Sequence, residues 1–222
     1  MSKEEKTGLT VIIVANGVIN DPERDSAHLE GADLIIAADG GTAHCERFGI
    51  VPHLVVGDLD STDPALVDKM AARGAEIVRH PARKDQTDLE LAVAEAVNRG
   101  AGTILILGGL GGRWDMTLAS VLGLAAPALP GIPIRLVEGA TDIALLRGDG
   151  RMSIEGIPGD TLSLLPLGTD ARGVTLRGLE YPLSGATIPP GATLGVSNVF
   201  TGHRADVTVQ SGILLCIHRS SG

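Results

Sequence analysis

The stretch TILILGGLGGRWD, residues 103–115, decides the fold class of this chain. Its apolar first part, Thr103–Leu107, has the composition of a buried strand, and the glycine-rich loop that follows leads into an amphipathic segment. A strand joined in this way to a helix is the repeating unit of a parallel α/β sheet. We therefore expect the neighbouring segments to repeat the same unit.

Short apolar runs and amphipathic stretches alternate on both sides of this segment, from Leu9 to about residue 140. Strands are predicted at Thr10–Ala15, Leu34–Ala38, Leu54–Val56, Ile77–Val78, Thr103–Leu107 and Ile134–Val137. Helices are predicted at Pro64–Arg73, at Asp85–Arg99 and from Asp115 to just before Pro127. Residues 1–140 are therefore predicted to form an α/β domain with a parallel sheet.

The helical period disappears after about residue 141, and short alternating segments recur with glycine and proline between them. Strands are predicted there at Asp142–Arg147, Arg151–Ile154, Thr161–Leu167, Gly173–Leu176, Thr193–Ser197, Arg204–Val209 and Ile213–Ile217. Residues 141–222 are therefore predicted to form an all-β sandwich domain.

Composition narrows the class of protein. The chain has 222 residues, 44% of them hydrophobic, and its apolar runs are much shorter than the ~20 residues of a membrane-spanning helix. The net charge of −9 gives no support to nucleic-acid or anionic-membrane binding. The first eight residues, MSKEEKTG, are charged and polar and lead into a strand rather than into the apolar region of a signal peptide, which favours a cytoplasmic protein. Cys45 and Cys216, far apart in the chain, are expected to be buried thiols.

Acidic residues follow several of the predicted strands. They are Asp39 in AADGG, Asp58 and Asp60 in GDLDS, Asp85 and Asp88 in KDQTD, and Asp115 in GGRWD. Ligands bind at the carboxyl ends of parallel strands, so these segments are expected to lie together around one cleft. Unpaired carboxylates at that density repel one another unless a hard cation holds them, which indicates a divalent metal site.

The pair Asp58 and Asp60 is the leading metal candidate, because residues two apart in extended backbone point the same way. The alternative is a simple turn, since GDLDSTDP is rich in turn formers. At the next cluster, Asp85 is expected to cap a helix. For Asp88 we favour metal or phosphate chemistry, with Lys84 and Thr87 as a phosphate partner and a hydroxyl ligand.

The loop Gly108–Gly112 offers backbone N–H groups to phosphate oxygens, or it is a close packing turn between strand and helix. No GxxxxGK[ST] motif occurs, and Trp114 stands where GxGxxG would need its third glycine. Arg113 has the planar donors that stabilise a transferring phosphoryl group, with a surface salt bridge as the alternative.

Phe200, close to Ser197 and Asn198, is either a ring-stacking surface for a ligand or a core aromatic of the β domain. The six histidines form no HxxxH or HExxH pair, and none is assigned to a metal.

Taken in order, AADGG, GDLDS, KDQTD, GGRWD, GLEYPL and GVSN resemble the thiamine pyrophosphokinase family over nearly the whole chain. The resemblance implies transfer of a diphosphate group from ATP to the hydroxyl of thiamine, with release of AMP and dependence on Mg²⁺. It also implies an α/β catalytic domain, a β-sandwich thiamine-binding domain, and a homodimer with active sites at the subunit interface.

Carried over position by position, the resemblance implies three groups of site residues. Mg²⁺ would be held by Asp58, Asp60 and Asp88. The ATP side would contain Asp39, Gly40, Gly41, Ser61, Lys84, Thr87, Arg113 and Asp115. Thiamine would contact Ser197, Asn198 and Phe200 of the partner subunit. Direct catalytic roles would fall to Asp58, Asp88, Arg113 and Asp115, and the residue that accepts the hydroxyl proton stays open.

The chain also departs from the family pattern. Met116 stands where bacterial members commonly have histidine, and Val199 stands where they have an acidic residue. Two other functions therefore remain open: pyrophosphoryl transfer to another small alcohol such as a hydroxymethyl pterin, or an inactive nucleotide-binding homologue. The acceptor is decided by the second domain, because an ATP-binding fold alone does not choose it.

Overall fold

A computed structural model of the protein describes residues 8–83, 85–125 and 131–222. The chain divides into two compact units, and the boundary lies between Gly139 and Ala140. The first unit contains a parallel sheet with helices, and the second contains antiparallel strands. The predicted fold class, an α/β domain followed by a β-sandwich, is confirmed.

The sheet of the first unit has six described strands: β1 (Leu9–Val14), β2 (Leu34–Ala38), β3 (Leu54–Gly57), β4 (Glu76–Arg79), β5 (Ala101–Leu107) and β6 (Ile134–Glu138). Their order is β6-β5-β1-β2-β3-β4, and each neighbouring pair is parallel. Strands β2 and β3 are buried along their whole length, as expected where both faces of a parallel sheet are covered.

Five helices are described in the first unit: α1 (Pro22–Ala27), α2 (Gly41–Arg47), α3 (Pro64–Ala72), α4 (Asp88–Asn98) and α5 (Trp114–Gly123). Helix α3 begins with proline, and the side chain of Asp63 caps it by accepting a hydrogen bond of 2.9 Å from the Ala65 backbone. The three helices that were predicted from their proline and glycine boundaries are therefore present. The two short helices α1 and α2 were not individually predicted.

The start of α4 differs from the prediction. Asp85 does not cap this helix; Thr87 does, in a capping box in which its hydroxyl accepts from the Glu90 N–H at 3.2 Å. The Glu90 carboxylate in return accepts from the Thr87 N–H at 2.7 Å. This reciprocal arrangement satisfies two N–H groups, whereas a cap at Asp85 would satisfy only one, and it starts the helix at Asp88.

The second unit consists of two antiparallel sheets. Its strands are β7 (Thr141–Arg147), β8 (Gly150–Glu155), β9 (Thr161–Pro166), β10 (Ala171–Arg177), β11 (Leu183–Ile188), β12 (Asn198–Val199), β13 (Arg204–Val209) and β14 (Ile213–Arg219). One sheet has the order β12-β9-β14-β7 and the other β11-β10-β13-β8. Buried residues of both sheets, among them Leu164, Val174, Val207 and Leu214, form one core. This arrangement is a β-sandwich.

One strand prediction in this unit was wrong, and two described strands, β11 and the two-residue β12, were not predicted. Thr193–Ser197 forms a turn, closed by a hydrogen bond of 3.0 Å from Val196 N–H to the Thr193 carbonyl. Leu183–Ile188 is a strand that was not predicted, because Ser184, Gly185 and Ala186 lack the β-branched signal. It lies at the edge of its sheet, where pairing to β10 compensates for its weak intrinsic preference.

Cys45 and Cys216 are free and buried, which confirms the expectation of isolated thiols. Burial raises the pKa of each thiol to about 12, so both stay protonated at neutral pH. Among the described residues, no helix has the length and apolar character needed to cross a membrane.

A buried carboxylate fastens the end of the chain to the sandwich. Asp160 is 2% exposed, and its carboxylate accepts from the N–H groups of Ile157 at 3.0 Å and Ser221 at 2.8 Å. The Ser221 hydroxyl and Nε2 of His218 lie 3.0 and 3.2 Å from its oxygens. Burial alone would raise the pKa of Asp160, but these hydrogen bonds outweigh it and lower the pKa to about 2.

We predict that Asp160→Asn destabilises the protein by roughly 2–4 kcal/mol, because an amide presents N–H groups to buried donors. The folded-state pKa lies below the unfolded value, so this stabilisation is present above about pH 4 and is lost as the pH falls towards 2. Urea unfolding at pH 7 and at decreasing pH measures both effects.

The matched control is Asp170→Asn, which breaks a surface ion pair with Arg172 of 2.9 Å. It should cost less than about 1 kcal/mol. Equal destabilisation by the two substitutions would contradict the role given to Asp160.

Candidate active site

Three carboxylates converge at the carboxyl edge of the parallel sheet. Asp39 follows β2, and Asp58 and Asp60 follow β3. One oxygen of each lies within 4.8 Å of the others. Asp39 is buried, Asp58 half-buried and Asp60 exposed, so the group opens towards solvent on one side. We call this group the acidic cluster.

Asp39 is fixed by the loop after β3. Its Oδ1 accepts a hydrogen bond of 2.9 Å from the Thr62 hydroxyl, and the Ser61 backbone N–H also donates to its carboxylate. Burial raises the pKa of Asp39, the bonds from Thr62 and Ser61 lower it, and the charge of Asp88 raises it again. A proton or a cation therefore relieves the cost of keeping this carboxylate buried among others.

Asp88, the first residue of α4, approaches the cluster from the next loop. A Cβ placed on Gly57 would lie 3.0 Å from Asp88 Oδ1 and 3.0 Å from Asp39 Cβ. Gly57 has φ +150°, a conformation that favours glycine. The space between these two carboxylates is therefore available only because residue 57 has no side chain.

Backbone strain is concentrated at these residues. Asp39 has φ 41° and Leu59 has φ 63°, both in the left-handed region. The backbone of GDLDS is therefore a tight turn rather than extended as predicted, and Asp60 N–H donates to Asp58 Oδ1 at 3.3 Å. Leu59 is buried in the core, which holds this conformation in place. Strain of this kind is typical of functional sites.

The converging group differs from the predicted metal set. The prediction was Asp58, Asp60 and Asp88, whereas the structure gathers Asp58 and Asp60 with Asp39. The left-handed conformation of Asp39 turns its side chain towards the β3 loop. All donors in the cluster are carboxylate oxygens, the ligands that Mg²⁺ prefers, so the residues fit a hard divalent cation.

The remaining residues of KDQTD have separate positions. Lys84 lies outside the described residues. The Thr87 hydroxyl accepts from Glu90 N–H as the helix cap and keeps its own proton to donate. Ser61 donates to Asp60 Oδ1 at 3.1 Å. These hydroxyls lie on the two loops that carry Asp58, Asp60 and Asp88.

The crevice at the change of strand order, between β1 and β5, is closed. N–H groups of Ala15, Gly17 and Val18 donate to carbonyls of Leu107, Gly108 and Leu110 at 2.8, 2.6 and 2.8 Å. Ligands usually bind at such a crevice in open α/β sheets. Here the acidic cluster lies beside it, after β2 and β3.

Gly40 and Gly41 start α2 without a side-chain cap. A Cβ on Gly41 would lie 2.0 Å from the Val14 carbonyl oxygen, so glycine is needed for the close approach of this helix to β1.

Arg113 and Asp115, at the start of α5, pair with each other. Arg113 Nε donates to Asp115 Oδ1 at 3.1 Å, and Nη2 donates to Oδ2 at 2.5 Å. Both side chains are more than half exposed, at 76% and 64%. The arginine lowers the pKa of Asp115, which is therefore ionised at neutral pH. Within the described residues, Nη1 of Arg113 has no hydrogen-bond partner.

In the second unit, Asn198 joins the GVSN and GLEYPL segments. It is 4% exposed, its Oδ1 accepts from Tyr181 N–H at 3.0 Å, and its Nδ2 donates to the Tyr181 carbonyl at 2.7 Å. Tyr181 itself is 62% exposed. Ser197, beside Asn198, has φ 55° and donates its N–H to the Ser163 hydroxyl at 2.9 Å.

The ring-stacking interpretation of Phe200 was wrong. Its side chain is 1% exposed and packs in the sandwich core, with its ring centroid 5.2 Å from that of His218. A ligand has no access to either ring face. Tyr181 is the exposed aromatic of this region, and it was not predicted as a site residue because aromatic content alone does not reveal which ring is buried.

Two family models match the chain. "Thiamin pyrophosphokinase, catalytic domain" matches residues 26–136, and "Thiamin pyrophosphokinase, vitamin B1 binding domain" matches residues 151–214. The first match contains the acidic cluster, and the second contains Tyr181 and Asn198.

A bacterial and a plant relative each match most of the chain. A thiamine pyrophosphokinase of Bacillus subtilis is 31% identical over 209 residues, which are 94% of this chain and 97% of the relative. Thiamine pyrophosphokinase 1 of rice, Oryza sativa subsp. japonica, is 28% identical over 77% of this chain and 67% of its own.

Two crystal structures share the fold. One of a Bacillus subtilis thiamine pyrophosphokinase has a TM-score of 0.84 at 30% identity, with 96% of this chain and 100% of that chain covered. One of an Enterococcus faecalis family protein has a TM-score of 0.82 at 27% identity, with the same coverage. With both of its units matched in order, the chain belongs to the thiamine pyrophosphokinase family.

Proposed function

We propose that this protein transfers a diphosphate group from ATP to the hydroxyl of thiamine, giving thiamine diphosphate and AMP. One observation supports this proposal most strongly: three carboxylates converge within 4.8 Å in the unit that matches the family's catalytic domain. Phosphoryl-group transfer requires bound cations, and an acidic cluster that opens to solvent is suited to present them to a nucleotide.

The metal is proposed to be Mg²⁺, held by the acidic cluster with Asp88 close by. Asp39 and Asp58 are the less exposed ligands, and Asp60 lies on the solvent side. When bound, Mg²⁺ neutralises phosphate charge and orients the transferring group. Asp88 extends the set of oxygens on the side of α4, where it faces Asp39 across Gly57.

In the proposed reaction, the thiamine hydroxyl oxygen attacks the β-phosphorus of ATP in line. The bond from the β-phosphorus to the α-phosphate oxygen breaks and releases AMP, and the hydroxyl proton passes to one of the aspartates of the cleft. Arg113 keeps Nη1 for a phosphate oxygen while Asp115 orients the guanidinium through two hydrogen bonds. Thr87 and Ser61 offer hydroxyl groups from the loops beside the cluster. Gly40 and Gly41 let the start of α2 lie close to Asn16 and to β1 on the proposed ATP side. Lys84 is proposed as a further phosphate contact.

For thiamine we propose a contact surface at Tyr181 and Ser197. Thiamine carries a positively charged thiazolium ring and a pyrimidine ring, and both can stack on an exposed tyrosine. Asn198 uses its amide on the Tyr181 backbone, so we assign it the role of positioning this segment. Phe200 supports it from the core.

We further propose a homodimer in which the thiamine residues of one subunit complete the active site of the other. Helix α5 supports a subunit interface, because none of its residues is buried while Trp114, Leu118 and Leu122 are 79%, 54% and 55% exposed. An apolar helix with this exposure is stabilised when another surface covers it.

We place the reaction in the cytoplasm. Two free, buried thiols and no disulfide among the described residues suit a reducing compartment.

Thiamine is favoured over a pterin or another small alcohol as the acceptor, because the second unit matches a vitamin B1 binding model. An inactive homologue would bind ATP without forming AMP. Met116 is 41% exposed on α5, and Val199 lies in β12, where it pairs with Thr161 of β9. Neither of these two departures from the family pattern is a member of the acidic cluster.

We predict that the purified protein with ATP and Mg²⁺ forms AMP only when thiamine is present, and that the product has the mass of thiamine diphosphate. The variant Asp58→Asn should lower this activity at least about 100-fold, because it removes a charged metal ligand. Quantifying AMP by chromatography, with mass spectrometry of the product, measures both.

Asp68→Asn is the matched control, since Asp68 is exposed on α3 and outside the cluster. It should retain wild-type activity and thermal stability. ATP binding without thiamine-dependent AMP in the wild type would overturn the proposed function, and normal turnover by Asp58→Asn would overturn the metal assignment.

We also predict that Tyr181→Ala raises KM for thiamine about tenfold or more, because stacking of an aromatic ring on a cation contributes about 1–2 kcal/mol. Tyr181→Phe keeps the ring and should stay within about threefold of wild type. Steady-state kinetics with each substrate varied tests this role. An unchanged KM for thiamine in Tyr181→Ala would refute it.

A further inference from the structure

The loop after β1 is held rigidly at the edge of the sheet that carries the acidic cluster. Three backbone hydrogen bonds join its residues 15–18 to the loop after β5. The Gly17 carbonyl is also 2.9 Å from Nε2 of His44 on α2. A Cβ on Gly17 would lie 2.4 Å from the Gly108 carbonyl oxygen, so this close contact requires glycine.

Asn16 lies in the middle of this fixed loop and its side chain is turned towards α2. A Cβ on Gly40 would lie 2.3 Å from Asn16 Cγ and 2.4 Å from both its Nδ2 and Oδ1. The carboxamide therefore packs over the Gly40 backbone. Gly40 follows Asp39 of the acidic cluster, so Asn16 lies against the residue next to the cluster.

The hydrogen-bonding groups of the Asn16 carboxamide are available to a ligand. The residue is exposed, and within the described residues its side chain makes no hydrogen bond. Asn20, on the same loop, by contrast donates to Glu138. Because the backbone of the loop is fixed and the amide is exposed, its two N–H donors can exchange water for a ligand with little loss of conformational freedom.

The ligand is identified by the chemistry of the surroundings. Asp39, Asp58 and Asp60 supply acceptors only, so a nucleotide bound beside them needs donors from elsewhere. The Asn16 amide supplies two N–H donors without adding charge. We propose that Asn16 is a nucleotide-binding residue that donates a hydrogen bond to a phosphate oxygen of ATP. This inference rests on the proposed use of ATP and adds a residue to its binding site.

The test is direct calorimetric titration of MgATP into the wild type and into Asn16→Ala and Asn16→Asp. We expect Kd for MgATP to rise about tenfold in Asn16→Ala, as for loss of a hydrogen bond to a charged group. Asn16→Asp should weaken binding further, because it adds another negative charge beside the phosphates. KM for thiamine and the melting temperature should stay close to wild type, and Asn20→Ala should bind MgATP like the wild type.

Titration with adenosine locates the contact on the nucleotide. If the phosphate is the acceptor, adenosine affinity is unchanged by Asn16→Ala. Equal weakening of adenosine and MgATP would overturn the phosphate assignment, and an unchanged MgATP Kd in both Asn16 variants would overturn the proposal as a whole. A wild type that binds MgATP but forms no AMP with thiamine would refute the proposed function while leaving the titrations able to judge Asn16.

Discussion

The mutual repulsion of Asp39, Asp58 and Asp60 is the physical constraint on which the site depends. Their oxygens lie within 4.8 Å, and one of the carboxylates is buried. Such a group is costly when all its members are ionised, and the cost falls when a cation binds. The fold holds the carboxylates together in two ways. Asp39 and Leu59 have left-handed backbone, and the Thr62 hydroxyl donates a hydrogen bond to Asp39. The site is thereby preorganised for a charged ligand.

The rest of the first unit supports this arrangement. Gly57 leaves space between Asp39 and Asp88, and the capping box of Thr87 fixes the start of α4. The bonds that close the crevice between β1 and β5 hold the loop beside the cluster. The second unit supplies a different chemistry, an exposed tyrosine held by a buried asparagine, which is suited to an aromatic cation.

Much of the fold and part of the site were predictable from sequence. Apolar β-branched runs indicated the parallel strands, and aspartates placed after them indicated the cluster. Asp39 was expected in the same cleft, but its place in the metal-sized group was not predictable, because it depends on a φ angle of 41° that no local pattern specifies. Phe200 and Tyr181 were not distinguishable either, since burial of a ring depends on sandwich packing. Asn16 carries no sequence signal at all, because its role follows from contacts across the chain.

The most direct test of the central claim is a crystal structure of the protein with Mn²⁺ and a non-hydrolysable ATP analogue, with the metal located by anomalous scattering. We expect a Mn²⁺ peak bound by oxygens of Asp39, Asp58 and Asp60, with the phosphates on its solvent side. A metal bound elsewhere, or a nucleotide seated away from the acidic cluster, would contradict it.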